Sequence, residues 1–235
     1  MNFNCRIQRI IRRKMYHQSL SKVVPTKNPE AVQLASNLLK SGEVIAVPTD
    51  TIYGLTCSAN DPEAIKKLYK IKGRNEEKPV AICVSDFSDL RHWGCADHLS
   101  NQLIAQLLPG PVTIVLDKSE HLNNPFINPG VSKIGIRIPD FAFIRNVCRA
   151  FNQPMALTSA NLSSERSALN ISEFSHLWGK LGCVFDGGCL SEAESHRLGS
   201  TVIDLSETNR CKVIREGINF KATIELLKKF DIITE

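Results

Sequence analysis

No apolar run in this 235-residue chain approaches the roughly 20 residues needed to cross a bilayer, so no membrane span is expected. Also missing are a G-x-x-x-x-G-K-[ST] loop, a G-x-G-x-x-G after a strand, an H-E-x-x-H helix and a G-x-S-x-G elbow. Their absence removes the familiar phosphate cradles, the zincin metal helix and the hydrolase nucleophile. The eight cysteines form no C-x-x-C pair and have no histidine at zinc-finger spacing. Scattered through apolar runs, they read as reduced thiols acting as small hydrophobes, and no resident metal site is expected. Aromatic residues make up only 6%, and none alternates with surface cations in the way that stacking on single-stranded bases requires. No internal repeat, low-complexity block or Pro/Gly/Ser linker interrupts residues 25–235, which are expected to form one domain.

Acidic residues are absent from the N-terminus. The first carboxylate is Glu30, whereas Arg6, Arg9, Arg12, Arg13, Lys14 and Lys22 precede it. Phe3, Ile7, Ile10 and Ile11 fall on one helical face beside the arginines. Arg-rich, acid-poor and amphipathic composition predicts a mitochondrial targeting segment over residues 1–24, the other reading being a disordered basic tail. Met15 offers an internal start that would yield a cytosolic form, so both cytoplasm and mitochondrion are expected locations. The net charge of +5 is partly due to this segment and permits an anionic ligand without demanding one.

Helix and strand signals alternate through the rest. Asn28-Pro29 and Asp61-Pro62 each pair a capping residue with proline at the first helical position, and Gly42 and Gly73 end the two runs. Short apolar strands are predicted at 44–48, 79–84, 112–116, 133–138, 155–159, 183–186, 200–205 and 211–216. Helices are predicted over 99–107, 140–151, 172–180 and 220–230. This order argues for an α/β domain with a mixed sheet and packed helices.

Polar residues cluster at strand ends, where open α/β sheets bind ligands. Thr49, Thr51 and Tyr53 follow the first strand. Lys72, Arg74 and Lys78 bracket a charged link directly before a buried strand, and a helix end, a solvated turn or an anion site would each account for them. Arg137 lies inside the alternating strand IGIRIP and needs a carboxylate or an anionic ligand if buried. Thr158, Ser159 and Asn161, then Ser200 and Thr201, then Arg215 complete the set.

PTDTIYGL, KIKGR…KP, LLPGPVT, IGIRIP, TSANLS, STVID and IREG, taken in order from about Val44 to Gly217, resemble the YrdC family in its eukaryotic form. The resemblance implies a single YrdC-like domain, a twisted mixed β-sheet with flanking helices around a basic concave cavity. It implies a nucleotidyltransferase that joins L-threonine, bicarbonate and ATP into threonylcarbamoyl-adenylate and releases pyrophosphate. The product is passed to a separate tRNA threonylcarbamoyl-transfer complex acting beside the anticodon of tRNAs that read ANN codons. Mg2+ would accompany ATP.

Carried over by motif, Lys72 and Arg74 are the catalytic cations. Lys72, Arg74, Lys78, Lys133, Ser159, Asn161, Ser167 and Arg215 face ATP, and Thr51, Cys83, Arg137, Leu157 and Ser200 face threonine. Two positions depart from the pattern: Cys83 is a thiol where some relatives are polar, and Glu216 replaces the proline of the usual R-P-G ending. The alternative from another class is a tRNA- or double-stranded-RNA-binding module using the basic cavity. In the enzyme reading tRNA contact is allowed but not required.

Overall fold

The computed structural model describes residues 22–73, 79–163 and 165–235. The expected targeting segment therefore lies outside the described residues up to position 21, as do Arg74 and Lys78. In chain order the strands are β1 (Val23–Pro25), β2 (Ile45–Val47), β3 (Gly54–Ser58), β4 (Ala81–Cys83), β5 (Val112–Asp117), β6 (Lys133–Arg137), β7 (Met155–Ser159), β8 (Cys183–Asp186), β9 (Thr201–Asp204), β10 (Arg210–Arg215) and β11 (Ile233–Thr234). They form a single mixed sheet in the order β1-β8-β2-β3-β7-β4-β6-β5-β9-β10-β11. The helices are α1 (Ala31–Lys40), α2 (Pro62–Lys72), α3 (Phe87–Trp93), α4 (Asn101–Leu107), α5 (Ala142–Phe151) and α6 (Phe220–Lys229). One sheet thus organises the whole described chain, in agreement with the expected α/β class. Among the described residues no helix is long and apolar enough to cross a membrane.

The sheet separates two apolar clusters. On one face Ala64, Ile65 and Leu68 of α2, Leu103 and Ile104 of α4 and Leu227 of α6 pack on Leu55, Ile82, Ile114, Ile136 and Ile203. Each fully buried Leu or Ile contributes about 1.5–3 kcal/mol, so this face holds most of the folding energy. On the other face α1 and α5 bring Ala31, Ala35, Leu39, Phe143, Ile144 and Val147 onto Ile45, Val47, Met155 and Phe185. That second cover stops short of β6, β5 and β9, and a cavity takes its place.

The α2 helix shows why capping grammar is legible. Asp61 Oδ1 accepts from the backbone N–H of Glu63 (2.9 Å) and Ala64 (3.2 Å), Pro62 opens the helix, and Gly73 closes it at φ +56°. At Asn28 the same grammar gives a looser result. Its Oδ1 accepts from Glu30 N at 2.9 Å, but residues 29 and 30 form a turn and α1 begins at Ala31.

Several expectations are corrected. The domain does not begin at residue 25: Val23 and Val24 already pair with Val184 and Phe185. Lys22 belongs to the domain rather than to the basic segment, because its ammonium satisfies the carbonyls of Trp178, Gly179 and Leu181 at the end of a 3-10 segment. That segment, Ile171–Lys180, is the expected 172–180 helix in tighter form, with a break at Phe174. Strand β3 and helix α3 were not foreseen. β3 directly follows the polar Thr49–Tyr53 turn, and its GLTCS sequence has few bulky β-formers.

Candidate active site

Strand alternation builds the cavity. In β6 Ile134 and Ile136 enter the core, so Lys133, Gly135 and Arg137 face the opposite way. In β5 Ile114 and Leu116 point to the core, and Thr113 and Val115 to the cavity. Ser200, Val202 and Asp204 alternate with core residue Ile203, and Leu157 and Ser159 with Ala156. The cavity volume is about 620 Å³, well within the range of small-molecule sites.

Lys72 is 2% exposed and sits at the last turn of α2. Its ammonium donates to the Ser159 carbonyl (2.7 Å), to Asn161 Oδ1 (2.8 Å) and to the Asn161 carbonyl, with Ser159 Oγ at 3.4 Å. Ser163 N in turn donates to the Lys72 carbonyl (3.3 Å). The K-x-R and S-x-N motifs are therefore one structural unit: the lysine holds the loop after β7 and brings its charge to the cavity wall.

Arg137 is 5% exposed. Its guanidinium forms an ion pair with Asp50 and donates to Thr51 Oγ1 (2.9 Å). The carboxylate required by a buried arginine thus comes from the turn after β2. The turn is shaped by Thr49, whose Oγ1 accepts from Thr51 N (3.1 Å) and Ile52 N (3.2 Å) and donates to the Ile52 carbonyl (2.7 Å). Within the pair Asp50 Oδ2 and Arg137 Nε remain without a hydrogen-bond partner, although both are buried.

A second guanidinium faces this pair. Arg215 donates to the Ser200 carbonyl from Nε (3.2 Å) and Nη2 (2.9 Å), and from Nη2 to Ser200 Oγ (3.1 Å). Burial of that head group and the charge of Arg137 together hold Arg215 below the ordinary arginine value. Ser200 Oγ also bonds Thr113 Oγ1 at 2.8 Å. The approach depends on two glycines. Gly199 turns at φ +69°, and a Cβ on Gly217 would lie 2.2 Å from the Ser200 carbonyl carbon and from Thr201 N. Two arginines and two hydroxyls around one small volume suit a carboxylate or phosphate.

Across the floor Lys133 donates to Asp204 Oδ2 at 2.8 Å. This bond raises the Lys133 pKa. Burial pushes the Asp204 carboxyl up, but hydrogen bonds from Lys133 and Ser206 outweigh it and hold the carboxyl below the usual range. Among the described residues no group of three or more His, Cys, Asp and Glu is placed to hold a metal ion.

Of the residues singled out in the sequence, Lys72, Lys133, Arg137, Leu157, Ser159, Asn161, Ser167, Ser200 and Arg215 line this one cavity. Arg74 and Lys78 lie outside the described residues. Two of the assigned residues do not line the cavity. Cys83 is fully buried under α5, with its Sγ 3.5 Å from Cys148 Sγ, and does not reach the cavity. It shares a sheet face with Arg137, to which it is register-paired, but the helix covers that end of the strand. Thr51 is also fully buried, behind Arg137, and Thr49 takes the cavity position. Asp50, Thr113, Asn128 and Asp204 were missed. Alternation from Ser200 would have found Asp204; Thr113, Asp50 and Asn128 carry no comparable signal.

The family model for Sua5/YciO/YrdC, described as "Telomere recombination", matches residues 37–217. The chain belongs to this family. Among its members, the threonylcarbamoyl-AMP synthase of Homo sapiens is 45% identical over 202 residues, covering 85% of this chain and 72% of that protein. That of Bos taurus is 44% identical over 206 residues, covering 87% and 74%. The crystal structure of P. abyssi Sua5 complexed with L-threonine matches with a TM-score of 0.72 and 28% identity, covering 87% of this chain and 58% of that one. The family's mixed α/β fold is therefore the fold of this chain.

Proposed function

We propose that this Sua5/YciO/YrdC-family chain is a threonylcarbamoyl-AMP synthase, making threonylcarbamoyl-adenylate and pyrophosphate from L-threonine, bicarbonate and ATP. The observation that carries the reading is the assembly of the ordered motif set on one cavity, in a chain 45% identical to a synthase of that name. Arg137 and Ser200 form the end suited to an amino-acid carboxylate, and Arg215, assigned to ATP by motif, donates to Ser200 beside them. Lys72, with its Ser159–Asn161 loop, forms the opposite wall, and the link that carries Arg74 and Lys78 follows it in sequence.

The chemistry needs positioning and charge neutralisation more than a dedicated nucleophile. The neutral amine of threonine forms its N–C bond to the carbon of CO2 with loss of an N–H proton, or to that of bicarbonate with loss of water, giving a carbamate. A carbamate oxygen then bonds to the α-phosphorus as the bond to the pyrophosphate oxygen breaks. Carboxylate, carbamate and triphosphate crowd together, and fixed cations in a partly buried site lower the cost of that crowding. The Lys72 donors are already engaged by Ser159 and Asn161, so its share is charge and loop placement.

Mg2+ is taken to enter on the triphosphate as part of the substrate. Among the described residues Asp204, the carboxylate that lines the cavity, is already ion-paired to Lys133, and Asp50 behind the lining is ion-paired to Arg137. The RNA-module reading gains no support from the described lining, where Tyr53 is the one aromatic and is fully buried. Transfer of the product to a separate tRNA-modifying complex, and a mitochondrial as well as a cytosolic form, belong to the same proposal. A fluorescent fusion of residues 1–30 that stays diffuse would remove the mitochondrial part.

A coupled pyrophosphate assay tests the reaction. Release should require ATP, threonine and bicarbonate together. No release, or release indifferent to threonine, would overturn the proposal.

A further inference from the structure

We infer that Arg197 is a positioning residue for the nucleotide side of the site, acting through Ser167. This rests on the synthase reading above, in which Ser167 faces ATP. Arg197 lies in the 3-10 segment Glu194–Leu198, outside the cavity lining, and its side chain is 18% exposed. Its Nη1 donates to the Ser167 carbonyl at 2.7 Å, and Ser167 lines the cavity.

The loop that carries Ser167 is fixed on both sides of it. Asn161 Nδ2 donates to the Glu165 carbonyl, and Tyr53 N donates to the Ala168 carbonyl at 2.8 Å. Between these points the Ser167 carbonyl accepts from Arg197, which sets the Ser167–Ala168 peptide plane and with it the direction of the Ser167 side chain. Arg197 is itself aimed by carboxylates. Its Nη1 also donates to Glu173 Oε2 at 2.5 Å, and its Nε donates to Glu194 Oε2 at 3.0 Å. The other Glu173 oxygen accepts from Leu169 N (3.3 Å) and Asn170 N (3.1 Å), so guanidinium and loop share one carboxylate. The outer pair of Arg166 and Glu194 is exposed and contributes little. Serving one carbonyl and two carboxylates together takes the planar fork of arginine.

Ser200 follows Arg197 by three residues but is anchored elsewhere. Its Oγ bonds Thr113 Oγ1 (2.8 Å) and its carbonyl accepts from Arg215 (2.9 Å). On either side of it, the Gly199 carbonyl accepts from Ile218 N (3.0 Å) and Thr201 N donates to the Pro111 carbonyl (2.9 Å). None of these bonds passes through the Arg197 side chain. Its loss therefore falls on Ser167 and spares the threonine end.

The test is Arg197→Met, which keeps an unbranched stem and removes every donor, compared with Ser167→Ala and with both changes together. Titration calorimetry measures ATP and threonine binding separately. Arg197→Met should weaken ATP binding about three- to tenfold, the size of one hydrogen bond, and leave threonine binding unchanged. In the Ser167→Ala background the same change should cost ATP nothing further, since the side chain being aimed is gone. ATP binding at the wild-type level, equal loss for both ligands, or losses that add in the double variant would overturn the inference. Arg197→Lys keeps the charge beside Glu173 and Glu194 without the fork, and serves on the same criteria if the methionine variant does not fold. The titrations need no turnover. Absence of pyrophosphate release by the wild-type protein would sink the synthase reading, while the ATP titrations judge Arg197 by themselves.

Discussion

Asp50→Ala removes the carboxylate from a guanidinium that is 5% exposed. What remains to Arg137 is one described side-chain acceptor, Thr51 Oγ1 at 2.9 Å, and its Nε already lacks a partner. Breaking a buried pair by deleting one member costs about 3–5 kcal/mol, because the other charge stays behind unpaired. That is a large fraction of the roughly 5–15 kcal/mol that holds a domain together. For a chain of this length the midpoint of thermal unfolding should fall by roughly 6–20 °C. The informative control is Asp50→Ala with Arg137→Met. Replacing both charges by apolar groups is often nearly neutral, so the double variant should regain most of the lost stability. It should not regain turnover, since Arg137, the cation assigned to the substrate carboxylate, is gone. Threonine supplies a second check. At about 100 times its Kd it stabilises whatever binds it by about 2.7 kcal/mol, and it should protect Asp50→Ala while leaving the double variant unmoved. Urea and thermal melts with and without threonine measure all of this. A single variant as stable as wild type, or a double variant as unstable as the single, would refute the argument that Asp50 neutralises Arg137.

Lys72→Met should lower pyrophosphate release by roughly 100-fold or more, since it removes a charge from the wall and leaves the Ser159 and Asn161 oxygens without their shared donor. Gly217→Ala should cost about 3 kcal/mol and misplace Ser200, because its Cβ would sit 2.2 Å from backbone atoms that cannot yield; circular dichroism melts and the threonine KM report it. Asp204 titrates below its unfolded value, so its contribution is present above about pH 4 and fades as pH falls through the folded value. Asp204→Asn should therefore destabilise at neutral pH, and its melts should converge on wild type in acid. Cys83→Ser buries a hydroxyl in an apolar cluster and should cost about 1–3 kcal/mol while leaving the threonine KM unchanged; a raised KM with intact stability would reinstate Cys83 as a contact.

Much of this was legible because local rules had few competitors. Asp61-Pro62 and Gly73 mark the ends of α2 through capping alone, and K-I-G-I-R alternates so strictly that only one face of β6 can be the core. The misses share a different cause. Asp50 finds Arg137 across 87 positions, and Asn128 finds Val80 across 48, so neither partnership leaves a local trace. Lys22 looks like one more cation in a basic segment until the fold brings three carbonyls to it. Thr51 and Thr49 differ by which hydroxyl the turn points inward, a choice set by hydrogen bonds inside the turn.

Cys83 shows what alternation cannot decide by itself. It lies on the same sheet face as Ala81, Gly135 and Arg137, so periodicity gives it the same claim on the ligand. What separates them is the second layer. Where the face carries Ile45, Val47, Cys83, Met155 and Phe185, it offers continuous apolar surface, and α1 and α5 bury it. Where it carries Ala81, Thr113, Gly135, Ser200 and Asp204, there is too little apolar area to draw a helix down, and the site stays open. On this face a strand residue flanked by small or polar neighbours stays open to the cavity, and one set wholly among bulky apolar neighbours is covered. Arg137 stays open on the side of Gly135. Cys83 is covered on the side of Met155.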